Sequence, residues 1–176
     1  MGLLIMADKG AYKNTNAVGN VIHYITRTRI NETRRNELFG FGAMGVTTYM
    51  SPEEMIYQFC YVQNLYCINQ RGGRRVYHEF YLLDENEINC FGNNLEYLHR
   101  FAMDCCQVYF SLGFQVVYSI HYDYEKKMHI HFCVNTINYR NGKKWHDNKV
   151  SLEERNKYFI QLGEKYQNVI IPIEWN

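Results

Sequence analysis

The chain has 176 residues, a formal net charge of +1, 47% hydrophobic residues and 21% charged residues. This length fits one domain with a sizeable core, and this composition excludes an intrinsically disordered chain. The near-zero charge also excludes a polycationic tail, and the unusual feature is a content of 16 Tyr and 7 His.

The predicted elements follow from apolar periodicity, β-branched and aromatic runs, and capping residues. Ser51, Pro52 and Glu54 predict a capping box at the start of one helix, and Ser151 begins a second capping box. Gly113 predicts the end of another helix. In chain order the elements are strand 3–7, helix 17–28, strand 44–50, helix 52–69, strand 74–83, helix 94–112, strand 114–122, strand 128–138 and helix 151–167.

The last two strands are separated only by the polar turn 123–127, so they should form an antiparallel hairpin. Helices and strands interleave with short links of this kind. The pattern predicts an α+β fold in which helices cover one face of an antiparallel sheet.

Strand 128–138 alternates in polarity. His129 and His131 point to one face, while the apolar residues between and after them point to the other. Because the apolar set should face the helices, the two histidines lie on the open face, and the hairpin brings His121 across from them. Three imidazoles with open coordination positions are the arrangement that catalytic metals use. Neutral imidazoles favour a transition metal, Zn²⁺ included.

The net charge conceals an uneven distribution. Residues 1–77 carry nine Lys/Arg against five Asp/Glu, residues 78–125 carry one against eight, and residues 126–176 carry nine against five. The basic clusters that flank the histidine strand predict a footprint for a phosphate backbone. The candidate DNA contacts are Arg27, Arg29, Arg34, Arg35, Arg74, Arg75, Lys143 and Lys144.

Three residues around the end of the histidine strand are further candidates. Tyr139 and Trp145 are possible surfaces for base stacking, as aromatic residues are in grooves for single strands. Asn135 has three open interpretations: a DNA contact, a support for a metal ligand, or a cap at the strand end.

Residues 120–146, IHYDYEKKMHIHFCVNTINYRNGKKWH, resemble the three-histidine motif of conjugative relaxases, the mobilisation nucleases of the MOBP type. His121 precedes His129 by eight residues, His131 follows two residues later, and Asn135 four residues after that. The motif also contains a His-x-Asp segment and a Gly-Lys-Lys loop.

Two upstream segments extend the resemblance from about residue 10 to about residue 170. Residues 74–87 are similar to the Tyr-His strand of the family, although Leu82–Leu83 stand where members often have Ser-Phe. Residues 17–29 resemble the helix that carries the nucleophilic tyrosine, which corresponds to Tyr24 in a Tyr-Ile-Thr context.

The resemblance implies an HUH endonuclease core with an RRM-like sheet. It further implies nicking at a specific site and strand, followed by strand transfer, at the transfer origin of a plasmid or integrative element. Tyr24 would form a 5′-phosphotyrosyl intermediate, and the three histidines would hold Mn²⁺ or Mg²⁺.

The same resemblance implies partners and context. Single-stranded or supercoiled DNA would be the substrate, with accessory relaxosome proteins and a coupling protein as partners. Residues 1–176 would form a single relaxase domain, either a minimal form or the N-terminal domain of a longer protein. The six cysteines form no Cys-x-x-Cys pair, and no signal peptide or membrane span is recognisable, so we expect a cytoplasmic bacterial protein.

Several roles stay open. Tyr12 is the next candidate nucleophile, and Asp123 either accepts the second N–H of His129 or His131 or belongs to the turn. Glu79 is a weaker candidate for the same supporting role, and His78 is expected to be a structural strand residue.

Other functions also fit parts of the sequence. A rolling-circle replication initiator or transposase of the HUH type would place its tyrosine after the histidine motif, at Tyr158 or Tyr166. A non-catalytic DNA-binding module with a structural metal is the alternative from another class. A hydrolytic metalloenzyme is disfavoured, because no carboxylate has a convincing general-base spacing from the histidines.

Overall fold

The computed structural model describes residues 2–7, 12–47, 51–91, 94–123 and 127–169. The strands in these ranges are β1 (Leu3–Met6), β2 (Leu38–Met44), β3 (Val76–Leu82), β4 (Val116–Asp123) and β5 (Lys127–Asn135). The α-helices are α1 (Ala17–Ile25), α2 (Pro52–Leu65), α3 (Ile68–Arg71), α4 (Glu85–Phe91), α5 (Leu95–Ser111) and α6 (Lys149–Val169).

The strands form one sheet in the order β1-β3-β5-β4-β2, and every neighbouring pair is antiparallel. Consecutive strands β4 and β5 form the expected hairpin, which occupies the middle of the sheet. The predicted α+β class with an antiparallel sheet is therefore confirmed, and the histidine strand lies at its centre.

One face of the sheet packs against α4, α5 and α6 and holds the larger core. Phe101 and Tyr109 from α5 and Phe159 from α6 are fully buried against Ile130 and Phe132 of β5. These two β5 residues belong to the apolar set that the alternation assigned to the helices. The histidines consequently point to the opposite face.

Helices also lie on that opposite face. Val18 and Ile22 from α1 and Phe59 from α2 form a second core with Val117 of β4 and Cys133 of β5. The sequence predicted helices on one face only, whereas α1 and α2 cover part of the face that carries the histidines. This second layer brings the end of α1 next to the site.

The strand predicted over 44–50 is β2 at Leu38–Met44 instead, and residues 48–50 lie outside the described ranges. This strand was not predicted because it contains glycines, which have low strand propensity. They are needed for packing: a Cβ on Gly42 would lie 2.7 Å from the Tyr118 ring, and one on Gly40 would lie 2.5 Å from His99.

The segment predicted as one helix over 52–69 is interrupted. Ser51 caps α2 by accepting the Glu54 backbone N–H at 3.2 Å, as the capping box predicts. The helix then ends at Leu65, because Cys67 adopts a left-handed backbone with φ of +56° before the short α3.

Helix α4 was not predicted, although the sequence carries a signal for it. Asp84 Oδ1 accepts the Glu87 backbone N–H at 2.8 Å, and Glu87 Oε2 accepts the Asp84 N–H at 2.8 Å. This reciprocal pair is a capping box with Asp in the first position.

The start of α6 corrects another expectation. Asn148 Oδ1 accepts the Ser151 backbone N–H at 2.9 Å, so the helix begins before Ser151 and the second capping box is wrong. Gly113 ends α5 as predicted, with φ of +89° and the side chain of Asn138 against its Cα.

A buried ion pair joins α6 to β3. Arg155 Nη2 lies 2.6 Å from Glu79 Oε1 and 2.7 Å from Asp147 Oδ2, and the Tyr109 hydroxyl donates to Glu79 Oε2 at 2.7 Å. Burial raises the pKa of Glu79, and the charge of Arg155 opposes that shift. Glu79 thus faces the larger core and not the histidines, which removes it as a support for a metal ligand.

We predict that Arg155→Ala lowers the free energy of unfolding by about 3–5 kcal/mol, because Glu79 is left buried without its cation. Urea denaturation measures this change. The control is Arg100→Ala, which removes an exposed pair with Glu96 (N–O distance 2.6 Å). We expect the control to change stability by no more than about 0.5 kcal/mol. Equal losses in the two variants would contradict the prediction.

Candidate active site

The β4–β5 pairing assembles three histidines on one face. His121 lies directly opposite His129, and Ser119 lies opposite His131. One ring nitrogen from each histidine lies within 4.8 Å of those of the other two, and His129 Nε2 is 3.1 Å from His131 Nε2. All three side chains are buried. The cluster is the size that a single bound cation requires.

Hydrogen bonds fix the orientation of two of these rings. His121 Nε2 lies 2.5 Å from the Ile25 carbonyl oxygen at the end of α1. His131 Nδ1 lies 3.0 Å from His78 Nε2, and His78 Nδ1 in turn lies 3.3 Å from the Tyr12 hydroxyl. Outer partners of this kind orient metal-binding histidines in proteins.

Two of the three histidines, and His78 beside them, are held in the neutral form, which is the form of imidazole that metals bind. Burial, followed by the charge of Arg27, lowers the pKa of His121 to about 3. Burial lowers the pKa of His78 to about 4 and places that of His131 well below its usual range, with His78 as the next cause. At neutral pH these rings therefore carry one proton each and offer one lone pair.

The donor set fits a divalent cation. A carbonyl oxygen only accepts, so His121 Nε2 carries the proton toward Ile25 and its lone pair lies on Nδ1. His121 Nδ1 is buried and has no hydrogen-bond partner among the described residues. A buried lone pair beside two further imidazoles is explained by a ligand that accepts electron pairs.

Tyr24 lies on the last turn of α1, against the cluster. Its ring centroid is 5.7 Å from that of His131 and 5.8 Å from that of His78, with edge-on geometry in both cases. Tyr12 is bonded to His78, which in turn bonds to His131, so Tyr12 reaches the triad only through His78. Burial raises the pKa of Tyr12. Of the two tyrosines, Tyr24 is the one in contact with a residue of the triad.

A cavity of about 110 Å³ runs between the tyrosine and the histidines. It is lined by Tyr24, Arg27, Asp123, His129 and His131, among others. A larger groove of about 590 Å³ adjoins it and shares Tyr24 and its neighbours. Asp123 thus borders the site, while its role in orienting a histidine stays a prediction.

Three arginines surround the Tyr24 ring. The guanidinium carbons of Arg29, Arg27 and Arg34 lie 4.8, 5.1 and 5.9 Å from its centroid. Arg29 and Arg34 are exposed, whereas Arg27 is buried and pairs with Glu37 at 2.6 Å. These three arginines therefore concentrate positive charge around Tyr24.

The other basic candidates differ in exposure. Arg35 and Lys143 are exposed. Arg74, Arg75 and Lys144 are half-buried and contact protein groups: Arg74 lies over the Tyr77 ring at 4.8 Å, and the other two donate to side-chain or backbone oxygens. Contact of these five residues with DNA stays a prediction.

Asn135 has a structural role. Its Nδ2 donates to the Phe59 carbonyl at 3.2 Å and to Gln115 Oε1 at 2.9 Å. Its Oδ1 accepts from Gln63 Nε2 at 2.9 Å and from the Ile137 N–H at 3.2 Å. The side chain is fully buried and fully bonded within the protein, so the interpretation as a DNA contact is corrected.

The two aromatic candidates are half-buried and pack against other rings of the protein. Trp145 packs against the larger core, 4.9 Å from Phe114 and 5.7 Å from Tyr109 between ring centroids. Tyr139 stacks on Phe110 at 6.1 Å. Trp145 is therefore assigned to core packing on the far side of the sheet, and its predicted stacking on bases is corrected.

The tyrosines that follow the histidine motif lie away from the site. Tyr166 donates to Asp104 at 2.6 Å, and Tyr158 contacts Phe159, which is buried in the larger core. Both belong to α6, on the face of the sheet opposite the triad. This placement disfavours a mechanism in which either one is the nucleophile.

The family model of the MobA/VirD2-like relaxase nuclease domain matches residues 20–168. The chain belongs to this relaxase family. Comparison with curated proteins gives no match. As a relaxase domain, the chain is a nuclease that binds and nicks DNA. Tyr24 and the three histidines lie inside the matched range. In the ranges described, no helix has the length and apolar character to cross a membrane.

Sequence reasoning missed two contributions to the relaxase site. His78 was expected to be structural, but it bonds to His131, and the Ile25 carbonyl holds His121. The Tyr-His strand motif already pointed to His78. No local signal could identify Ile25, because a backbone carbonyl is independent of residue type.

We predict that His78→Ala weakens Mn²⁺ binding about 10–100-fold, because His131 loses the partner that fixes its ring. Isothermal titration calorimetry measures the affinity, and His78→Gln should restore part of it by replacing the bonded nitrogen. His146→Ala is the control, since His146 is an exposed histidine outside the cluster. An unchanged affinity in His78→Ala would show that the bond does not support the ligand.

Proposed function

We propose that this relaxase nicks one strand of DNA at the transfer origin of a plasmid or integrative element and transfers it through a covalent tyrosine intermediate. The edge-on contact of Tyr24 with His131, beside a cavity lined by arginines, carries the proposal. Tyr24 and two of the proposed metal ligands, His129 and His131, line that cavity.

His121, His129 and His131 would hold the divalent cation. When bound, such a cation polarises the phosphodiester and stabilises the negative charge that develops on its oxygens. The neutral state of His121 and His131 and the unpartnered Nδ1 of His121 support this assignment. The resemblance to relaxases favours Mn²⁺ or Mg²⁺, and the imidazole ligands also suit Zn²⁺.

Tyr24 supplies the nucleophile. A tyrosine hydroxyl attacks poorly in its neutral form, since its ordinary pKa is near 10, so it needs a positioned and polarised target. Its oxygen forms a bond to the scissile phosphorus, and the bond from phosphorus to the 3′ oxygen breaks. The phenolic proton is released, and the leaving oxygen ends as a 3′-hydroxyl. The 5′-phosphotyrosyl link conserves the phosphodiester for later resealing.

The groove beside the cavity supports a single strand as the substrate. Arg29 lines the groove and Arg34 lines the adjoining cavity, and both provide exposed positive charge for backbone phosphates. Tyr12 and Phe80 line the groove and provide aromatic surface for bases.

The biological setting extends the proposal. Accessory relaxosome proteins and a coupling protein would act with the domain at a supercoiled transfer origin. That residues 1–176 form a single domain, alone or at the N-terminus of a longer protein, stays a prediction, as does a cytoplasmic location.

We predict that Tyr24→Phe abolishes the covalent adduct while leaving DNA binding within about threefold, because only the attacking oxygen is removed. Oligonucleotides carrying a transfer-origin nick site, incubated with Mn²⁺, report the adduct as a shifted band on a denaturing gel. EDTA should abolish the adduct in the wild type.

Two controls separate the alternatives. Tyr158→Phe should form the adduct at the wild-type rate, since Tyr158 lies across the sheet. An adduct that survives in Tyr24→Phe and is lost in Tyr158→Phe or Tyr166→Phe would support a replication initiator or transposase. A wild-type chain that binds every tested origin and never forms an adduct would support a non-catalytic DNA-binding module.

A further inference from the structure

Arg27 differs from the other arginines at the site. Its side chain is 2% exposed, and its backbone is left-handed with φ of +54°, which turns the chain sharply after α1. It lines the small cavity together with Tyr24, His129 and His131. A buried cation in this position is neither a surface phosphate contact nor a part of the apolar core.

The three nitrogens of this guanidinium have different partners. Nη2 donates to Glu37 Oε2 at 2.6 Å, and Nη1 reaches the Tyr24 carbonyl at 3.5 Å. Nε is buried and has no partner among the described residues. The first two contacts hold the plane of the group, so the orientation of the third N–H is set in advance.

An unsatisfied buried N–H on a cation is costly, and native proteins rarely leave one. Within the described residues, the buried side-chain N and O atoms without a partner are Arg27 Nε and His121 Nδ1. One is a hydrogen-bond donor and the other a lone pair, and both belong to residues at the site. A phosphodiester oxygen would accept a hydrogen bond from Arg27 Nε–H, and a bound cation would accept the lone pair of His121 Nδ1.

We infer that Arg27 is a catalytic residue whose Nε–H donates to a non-bridging oxygen of the scissile phosphate during attack by Tyr24. This inference rests on the proposed function and adds a second group that stabilises the developing charge. A fixed donor in a buried site serves this purpose without reorganisation. Glu37 is a positioning residue, because its carboxylate holds the guanidinium through Nη2.

The test separates chemistry from binding. Single-turnover adduct formation at saturating origin oligonucleotide gives a rate constant, and fluorescence anisotropy gives the DNA dissociation constant. We expect Arg27→Gln to lower the rate constant about 100-fold with a dissociation constant within about threefold, as loss of one charge-stabilising donor does elsewhere. Arg29→Gln should raise the dissociation constant. Arg100→Gln, on the opposite face, should match the wild type in both measurements.

Substrates with one non-bridging oxygen replaced by sulfur locate the contact. The wild type should react more slowly with one of the two phosphorothioate isomers because the bond to Arg27 is weakened. The proposed cation also distinguishes the two isomers, so the two proteins are compared with each other. Arg27→Lys, which keeps the charge but lacks Nε–H, should change the ratio of the two isomer rate constants from its wild-type value. Glu37→Gln keeps Arg27 but removes its ion pair. We expect this variant to lower the rate constant by a smaller factor than Arg27→Gln.

Folding and the proposed function are checked separately. Melting temperature and Mn²⁺ affinity show whether each variant is folded. If Arg27→Gln does not fold, the comparison of Arg27→Lys with the wild type tests the role of Arg27. A wild-type rate constant in a folded Arg27 variant, or an isomer ratio in Arg27→Lys equal to that of the wild type, would overturn the inference. An adduct in Tyr24→Phe would instead overturn the proposed nucleophile.

Discussion

The antiparallel register of β4 against β5 is the constraint on which the site depends. It places His121 opposite His129 and sets His131 two residues further along the same face. Side chains alternate along a strand, so the register that gathers the histidines also sends Ile130 and Phe132 into the larger core. A slip by one residue would reverse both sets at once, so burial of the core and assembly of the triad enforce the same pairing.

The two faces of the sheet thus differ in role: one holds the larger apolar core, and the other carries the histidine cluster. The face under α4, α5 and α6 is packed with aromatic rings and closed by the Arg155–Glu79 pair. The other face buries neutral imidazoles, and the desolvation is offset by bonds to Ile25 and His78. Helix α1 contributes both a core stripe and Tyr24, so hydrophobic packing on α2 and β4 sets the distance between Tyr24 and His131.

Local rules predicted much of this arrangement. The hairpin, the alternation of the histidine strand and the position of α1 all follow from patterns within about ten residues. The contact of His78 with His131 spans 53 residues and depends on how β3 pairs with β5. Local patterns in the sequence do not reveal the pairing of two strands that lie so far apart in the chain. The same limit explains why Asn135 and Trp145 were expected near DNA: their buried partners come from distant elements. Strand β2 was not predicted because it contains glycines, which have low strand propensity but leave space for the rings packed over them.

The bond between His121 and the Ile25 carbonyl joins residues separated by 96 positions. A chain still being synthesised exposes α1 long before its histidine strand leaves the ribosome. Until β5 has been made and has paired, the proposed nucleophile has neither its metal ligands nor the sheet that holds them. An incomplete chain therefore lacks the assembled site, which forms only when β4 and β5 have paired and the chain between α1 and β4 has been closed into a loop.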